Sequence, residues 1–219
     1  MTFSNEVESF IKDYVKKLHE GTASVFAGAG LSIPAGFVNW PDLLRDIAHE
    51  LGLNIDIETD LVSIAQYHVN ENGTRDRLSQ KIVDEFVEDT EETENHRILA
   101  RLPITSIWTT NYDSIIEDTF IKEGKVPDIK HSAKQLLTSR TKRDLVLYKM
   151  HGDALQSTDA ILTKEQYEKY HQTHEPFINA LTGELTTRTF LFLGFSFTDP
   201  NLDYVLSRLN IRFSQDKKQ

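Results

Sequence analysis

The chain of 219 residues contains no cysteine. This absence excludes a disulfide framework and any zinc site built from thiolates, and it fits a reducing compartment, so we expect a cytoplasmic protein. Long apolar runs are also absent, since none approaches the roughly 20 residues that a membrane helix needs. The N-terminus lacks a basic region followed by an apolar stretch, so neither export nor membrane insertion is expected.

Positive charge is scarce relative to negative charge. There are 24 Lys and Arg residues and 34 Asp and Glu residues, which give a formal net charge of -10 at pH 7. This balance opposes broad electrostatic attachment to nucleic acid, and no direct nucleic-acid binding is expected. An anionic ligand must therefore be held locally, for example by backbone N–H groups where a helix begins.

Four segments of the chain have the pattern of a buried strand, a polar corner and then a helix. The predicted strands lie in TASVFAG, ITSIWTT, DLVLYKM and RTFLFLG. This alternation favours an α/β, Rossmann-like fold with a mostly parallel sheet and helices on both faces. A helical insertion is predicted at about 37–101. We expect a single domain over 1–219, and the polar end SQDKKQ is either a tail or the point where a longer protein was cut.

The corners after the four predicted strands carry glycines and polar side chains. Because the carboxyl ends of parallel strands gather at one edge of the sheet, where ligands bind in such folds, these corners are expected to share a site. Each corner alone also has a structural interpretation. The glycines are compatible with a tight turn, Asn111 and Asp113 with helix capping, and His151 with a structural hydrogen bond.

The combination of the corners is more specific than any one of them. In chain order they are GAG-x-S at 28–32, T-x-N-x-D at 109–113, HG at 151–152 and G-x-S at 194–196. This series resembles the sirtuin-like family. The phrases TTNYD, HGD and GFSFTDPNL are similar to those of its bacterial defence-associated branch.

The resemblance implies a Rossmann-type NAD site and a role for each corner. The NAD-binding residues that it implies are Gly28, Ala29, Gly30, Ser32, Thr109, Gly194 and Ser196. The first corner would cradle the pyrophosphate and the adjoining ribose, and the last would line the adenosine side. Asn111 would position a ribose hydroxyl or the attacking water, Asp113 would hold the nicotinamide carboxamide, and His151 would be the general base.

Protein-deacylating sirtuins carry a structural zinc module with four cysteines, which cannot form in this chain. No metal is therefore expected. The resemblance to the defence branch implies an NAD glycohydrolase (NADase) that releases nicotinamide and ADP-ribose as an antiphage effector. It also implies a homo-oligomer and a sensor domain or regulatory partner protein. Two alternatives stay open: an NAD-dependent protein deacylase, and a module that binds NAD or ADP-ribose without cleaving it.

Overall fold

A computed structural model gives the fold and describes residues 3–87 and 90–216, with side chains described up to residue 210. In this part of the chain one sheet contains the strands β1 (Ala23–Ala27), β2 (Ser106–Thr109), β3 (Pro127–Lys130), β4 (Leu145–Lys149) and β5 (Thr189–Leu193). Their order across the sheet is β3-β4-β2-β1-β5, and all neighbours are parallel. The predicted α/β fold is confirmed.

Ten α-helices accompany the sheet in the described residues. They are α1 (Asn5–His19), α2 (Ala29–Ser32), α3 (Trp40–Glu50), α4 (Leu61–Asn72), α5 (Asp76–Phe86), α6 (Glu94–Arg101), α7 (Ile115–Lys122), α8 (Lys164–Thr173), α9 (Glu175–Thr187) and α10 (Pro200–Asp216). Helices α3 to α6 lie between β1 and β2, in the stretch predicted as an insertion. No described helix combines the length and the apolar character needed to span a bilayer.

Both faces of the sheet are covered, because successive side chains of a strand point to opposite faces. Val25 of β1 and Ile107 of β2 join a hydrophobic cluster with residues of α1 and α3 to α7. The next residues, Phe26 and Trp108, join a second cluster with residues of α8, α9 and α10. Strands that are buried on both sides have continuous apolar sequences, which is the pattern that made them predictable.

The short edge strand β3 does not follow that pattern. It begins with Pro127 and carries two charged residues, Asp128 and Lys130, although charged residues are uncommon in strands. Both side chains are buried, and Lys130 Nζ lies 2.8 Å from Asp128 Oδ1. The sequence pattern misses β3 because Asp128 and Lys130 can be buried only as an ion pair, and this pair forms only when the edge of the sheet is folded.

The insertion begins at a well-capped helix. The side chain of Asn39 accepts a hydrogen bond from the backbone N–H of Asp42 at 2.9 Å, and Pro41 occupies the first turn of α3. Proline is favoured there because its missing N–H has no partner within the helix. This cap fixes Asn39 and Trp40 at the rim of the cavity described next.

Candidate active site

A cavity of about 750 Å³ opens at the carboxyl ends of the strands, between the sheet and the insertion. Its volume lies in the range of small-molecule sites in proteins. One part of the wall is formed by the corners that follow β1, β2 and β5. A second, mainly apolar part comes from the insertion and includes Phe37, Val38, Trp40, Leu61, Val62 and Phe86.

The ten residues predicted from the corners lie either at this cavity or directly behind its wall. Seven of them line it: Ala29, Gly30, Ser32, Asn111, Asp113, Gly194 and Ser196. Gly28 and Thr109 lie behind Asn111, because the Gly28 carbonyl accepts its side-chain N–H and the Thr109 hydroxyl accepts its backbone N–H. His151 lies behind Asp199 and Tyr167, which both line the cavity.

The glycines allow the corners after β1 and β5 to touch. A Cβ on Gly28 would lie 2.5 Å from the Gly194 carbonyl oxygen, and one on Gly194 would lie 2.4 Å from the Leu31 nitrogen. Gly194 also has a φ of +60°, which favours glycine. The Gly30 N–H donates to the Gly194 carbonyl at 2.9 Å, so this amide is already committed within the protein.

Asn111 is held by three hydrogen bonds. Its side-chain nitrogen donates to the Gly28 carbonyl at 3.2 Å and to the Ser32 hydroxyl at 3.0 Å. Its backbone N–H donates to the Thr109 hydroxyl at 3.0 Å. With the nitrogen committed in this way, the carboxamide oxygen is the atom of Asn111 that can accept a hydrogen bond from a ligand hydroxyl or a water.

His151 is buried, with 1% of its surface exposed. Its Nε2 lies 3.3 Å from Asp199 Oδ2 and its Nδ1 lies 3.3 Å from the Tyr167 hydroxyl, while the Asn201 amide nitrogen is 3.4 Å from Nε2. Burial lowers the pKa of His151, and the Asp199 carboxylate opposes this only in part. The ring is therefore neutral near pH 7. A proton on Nε2 satisfies the carboxylate, so the Asn201 amide nitrogen, which is itself a donor, does not bond to Nε2 in this tautomer. Nδ1 then accepts from the Tyr167 O–H.

Asp113 both lines the cavity and caps a helix. Its Oδ1 accepts the backbone N–H of Ile115 at 3.3 Å, which satisfies a free donor at the start of α7. Burial raises the pKa of the Asp113 carboxyl, and the opposing effects of Lys149 and the Ser32 hydroxyl are smaller. Asp113 is therefore a helix cap, as one interpretation of the sequence suggested, and it also lines the cavity.

The cavity wall carries carboxyl groups, and the nearest basic side chains stand outside it: Lys164 pairs with Asp60 at 3.1 Å, and the buried Lys149 acts on Asp113. Its carboxyl groups belong to Asp60, Asp113 and Asp199, and none of the described residues that line it is Lys or Arg. Within the same described part of the chain, no group of three or more His, Asp or Glu side chains is placed to hold a metal ion. A phosphate in this cavity would have to be held by neutral donors.

Sequence reasoning missed Tyr167 and Asp199 at this site. Asp199 carries a detectable signal, because Asp before Pro200 is typical of a helix start, and its Oδ1 accepts the N–H groups of Asn201 and Leu202 at 2.9 Å each. Tyr167 carries none. It lies on α8, well beyond the corner after β4, and only the folded chain brings it to His151.

Residues 105–219, more than half of the chain, match a family model described as a SIR2-like domain. The chain belongs to the SIR2-like domain family. The match includes the corners after β2, β4 and β5 of this SIR2-like chain.

Curated relatives of the SIR2-like chain extend the similarity to nearly its whole length. It is 53% identical over 214 residues to "NAD(+) hydrolase ThsA" of Bacillus cereus (strain MSX-D12). The aligned region covers 97% of this chain and 45% of the relative. It is also 53% identical over 217 residues to "NAD(+) hydrolase ThsA" of Acinetobacter baumannii (strain 532279), covering 99% of this chain and 45% of that relative.

A more distant relative is "Defense-associated sirtuin 2" of Bacillus subtilis. The identity is 25% over 219 residues, covering 94% of this chain and 21% of the relative. The SIR2-like chain thus spans less than half the length of the curated relatives that it matches.

Proposed function

We propose that this chain carries the catalytic site of an NAD⁺ hydrolase, which cleaves the bond between nicotinamide and ribose. The observation that carries the proposal is the buried, neutral His151, oriented by Asp199 and joined to the cavity by Tyr167. His151 lies behind the cavity wall that contains Asn111. One cavity is thus served by a proton acceptor, His151, and by a group that can position water, Asn111. The similarity to the ThsA NAD(+) hydrolases over nearly the whole chain supports this proposal.

The corners after β1 and β5 would hold the dinucleotide without lysine or arginine. We place the pyrophosphate and its ribose against 28–32 and the adenosine against 194–198. Because the Gly30 N–H is committed to Gly194, the donor proposed for the pyrophosphate is the Ala29 N–H, and the hydroxyls of Ser196 and Thr198 are proposed for the adenosine side. Those two hydroxyls are exposed and lie 2.7 Å apart, so they can turn from each other toward a ligand.

The bond cleavage requires stabilisation of positive charge on the ribose. The electron pair of the C1′–N bond leaves with nicotinamide as a neutral base, and the ribose becomes oxocarbenium-like. Carboxylates at the cavity wall stabilise that positive charge. Among them, we propose Asp113 as the partner of the nicotinamide carboxamide. The enzyme needs no strong nucleophile, because water can attack such a centre once it is oriented.

Water attack then needs a proton acceptor. The carboxamide oxygen of Asn111 is proposed to orient the water, whose oxygen bonds to C1′. The Tyr167 O–H passes its proton to Nδ1 of His151 as it receives one from the water, while Nε2 keeps its own proton and donates it to the Asp199 carboxylate. The resulting imidazolium is stabilised by the Asp199 carboxylate, in the manner of other acid-oriented histidines.

The cellular role is part of the same proposal. Similarity to "Defense-associated sirtuin 2" of Bacillus subtilis supports a role in defence, and the motif resemblance supports an antiphage effector that depletes NAD. A homo-oligomer and control by a sensor domain or a regulatory partner protein are proposed from the motif resemblance, and a cytoplasmic location is proposed from the lack of cysteine. An activity that destroys a central metabolite requires such control.

Incubation of the full-length protein with NAD alone tests the proposed function. Chromatographic detection of nicotinamide and ADP-ribose is expected without any acylated peptide. Release of nicotinamide only when an acyl-lysine peptide is present would instead identify a deacylase. Tight binding of NAD without cleavage, both in isolation and in extracts of infected cells, would identify a binding module.

A further inference from the structure

A fully buried lysine lies beside the site and takes no part in the steps proposed above. Lys149 is the last residue of β4 and has 0% of its surface exposed. Its Nζ lies 2.8 Å from the Asp113 carbonyl oxygen and 3.1 Å from that of Tyr112. The same atom lies 2.9 Å from Glu117 Oε1 and 2.6 Å from Asp153 Oδ2.

Burial of this ammonium group costs free energy of desolvation, which its oxygen partners must offset. Burial by itself lowers the pKa of Lys149, but the adjacent Glu117 and Asp153 carboxylates outweigh that effect and leave the pKa raised. Burial also raises the pKa of the Glu117 carboxyl to about 7, against the effect of Lys149. Apolar side chains commonly replace buried ion pairs without loss of stability, so the pair itself is weak evidence of a stabilising role.

The contacts of Lys149 join the two corners that carry the proposed catalytic residues. Tyr112 and Asp113 directly follow Asn111, and Asp153 lies two residues after His151. Lys149 binds the backbone of the first corner and the side chain of the second. Two backbone hydrogen bonds also link these segments, from the Ala154 N–H to the Tyr112 carbonyl at 3.0 Å and from the Met150 N–H to the Thr109 carbonyl at 2.9 Å.

We propose that Lys149 is a positioning residue that fixes the Asn111 corner relative to the His151 corner and thereby sets the kcat of NAD cleavage. This inference rests on the proposed function. A displacement of about 1 Å in a catalytic constellation can lower the rate by about 100-fold, so a group that holds two corners together affects turnover without contacting the substrate.

Two double variants separate the hydrogen-bond donors of Lys149 from its charge. Lys149→Met/Glu117→Gln removes one positive and one negative group together and leaves no donor toward the carbonyls of Tyr112 and Asp113. Lys149→Gln/Glu117→Gln removes the same charges but keeps an N–H₂ donor, on a side chain that is one bond shorter than that of lysine. The full-length variants are compared by kcat and KM for nicotinamide release, after correction for the folded fraction.

A matched control removes another buried ion pair that contains a lysine. Lys130 and Asp128 on β3 are also buried and paired, and neither lines the cavity. Lys130→Met/Asp128→Asn therefore makes a similar lesion away from the two corners. Its kcat is expected to stay at the wild-type value, and its unfolding midpoint reports the effect of the lesion on stability alone.

The expected result is a loss of kcat of about tenfold or more in the Met variant, with KM for NAD changed by less than about threefold. The Gln variant recovers much of that loss. A folded Met variant with wild-type kcat, or a loss no larger than that of the Lys130 control, overturns the inference. So does a Met variant that fails to fold while the control folds, because Lys149 is then a determinant of stability. A wild-type protein that releases no nicotinamide removes the proposed function itself, which is a separate outcome.

Discussion

The imidazole of His151 has a hydrogen-bonding neighbour at each ring nitrogen. Asp199 faces Nε2 and Tyr167 faces Nδ1, both at 3.3 Å. A carboxylate on one nitrogen fixes the tautomer and leaves the other nitrogen as the basic atom. That basic atom faces the hydroxyl of Tyr167, a residue that lines the cavity, and this arrangement is what distinguishes His151 from a merely structural histidine.

Removal of the Tyr167 hydroxyl is expected to impair proton transfer. Tyr167→Phe keeps the ring that packs against His151 but leaves Nδ1 without its link to the cavity. We expect kcat for nicotinamide release to fall by roughly 100-fold, the lower end of what a proton-transfer group contributes, with little change in KM. Steady-state kinetics on the purified protein measure both parameters.

Tyr170→Phe is the matched control for that variant. The Tyr170 ring also lies against His151, with centroids 6.0 Å apart, but its hydroxyl donates to the Met150 carbonyl at 2.8 Å. Its loss is expected to reduce stability rather than kcat. Equal losses of kcat in the two variants would show that the Tyr167 hydroxyl has no special role.

The buried His151 also predicts a pH dependence of stability. Burial lowers its pKa in the folded state below the value of 6.5 that applies in an unfolded chain. The unfolded chain therefore binds the proton first as the pH falls through that range, and the folded state loses stability by at most about 1.4 kcal/mol per pH unit. At higher pH both states are neutral and this loss is absent.

Comparison with His151→Gln isolates this effect. Glu117 acts in the opposite direction, because its raised pKa of about 7 means that the folded state binds a proton more readily than the unfolded chain. That contribution is present in both proteins and cancels in their difference. In urea unfolding from about pH 7.5 to about pH 5.5, the wild type should lose more stability than the variant. Parallel curves would contradict a buried, neutral His151.

At the scale of elements, the corners after β1 and β5 depend on close backbone contact. Gly194→Ala would place a Cβ 2.4 Å from the Leu31 nitrogen at a residue with a φ of +60°. We expect the free energy of unfolding to fall by about 1–3 kcal/mol or more, because both the backbone conformation and the contact become strained. The KM for NAD should rise as the two corners separate. Denaturant unfolding and kinetics measure these effects.

Gly183→Ala provides the comparison. Gly183 lies within α9, has no positive φ, and a Cβ there would meet no atom within 4 Å. Alanine is the better helix former, so this variant should gain up to about 1 kcal/mol of stability. If Gly194→Ala behaves like Gly183→Ala, the close contact between the corners is not required.

The elements differ in how far the sequence predicts them. The strands β1 and β2 are predictable because they are buried on both faces, whereas the partly buried β4 and β5 are predictable because their sequences are mostly apolar. The edge strand β3 is not predictable, since its Asp128–Lys130 pair has meaning only after folding. The corners are predictable as a group, because parallel strands bring their carboxyl ends to one edge.

The rest of the candidate site depends on tertiary structure. The apolar wall comes from the insertion, whose amphipathic pattern indicates helices but does not indicate which face meets the cavity. Lys149 ends a mostly apolar strand, and its four oxygen partners come from segments on either side of it in the chain. No local sequence signal specifies such a set of contacts.

At the scale of the whole molecule, an acidic protein is proposed to bind an anionic dinucleotide. The formal net charge is -10, and the described residues that line the cavity include carboxylates but neither Lys nor Arg. Such a site gains little from electrostatic attraction of the phosphates. Its negative wall is instead suited to the positive charge that develops on the ribose as nicotinamide leaves.

The most direct test of the account is the turnover of NAD by His151→Ala beside the wild type and Tyr170→Phe. We expect the alanine variant to remain folded and to bind NAD, while kcat for nicotinamide release falls by about 10²- to 10⁴-fold. The Tyr170 variant should keep its kcat. A folded alanine variant that cleaves NAD at the wild-type rate would show that His151 is not the base and that the reaction does not depend on this arrangement.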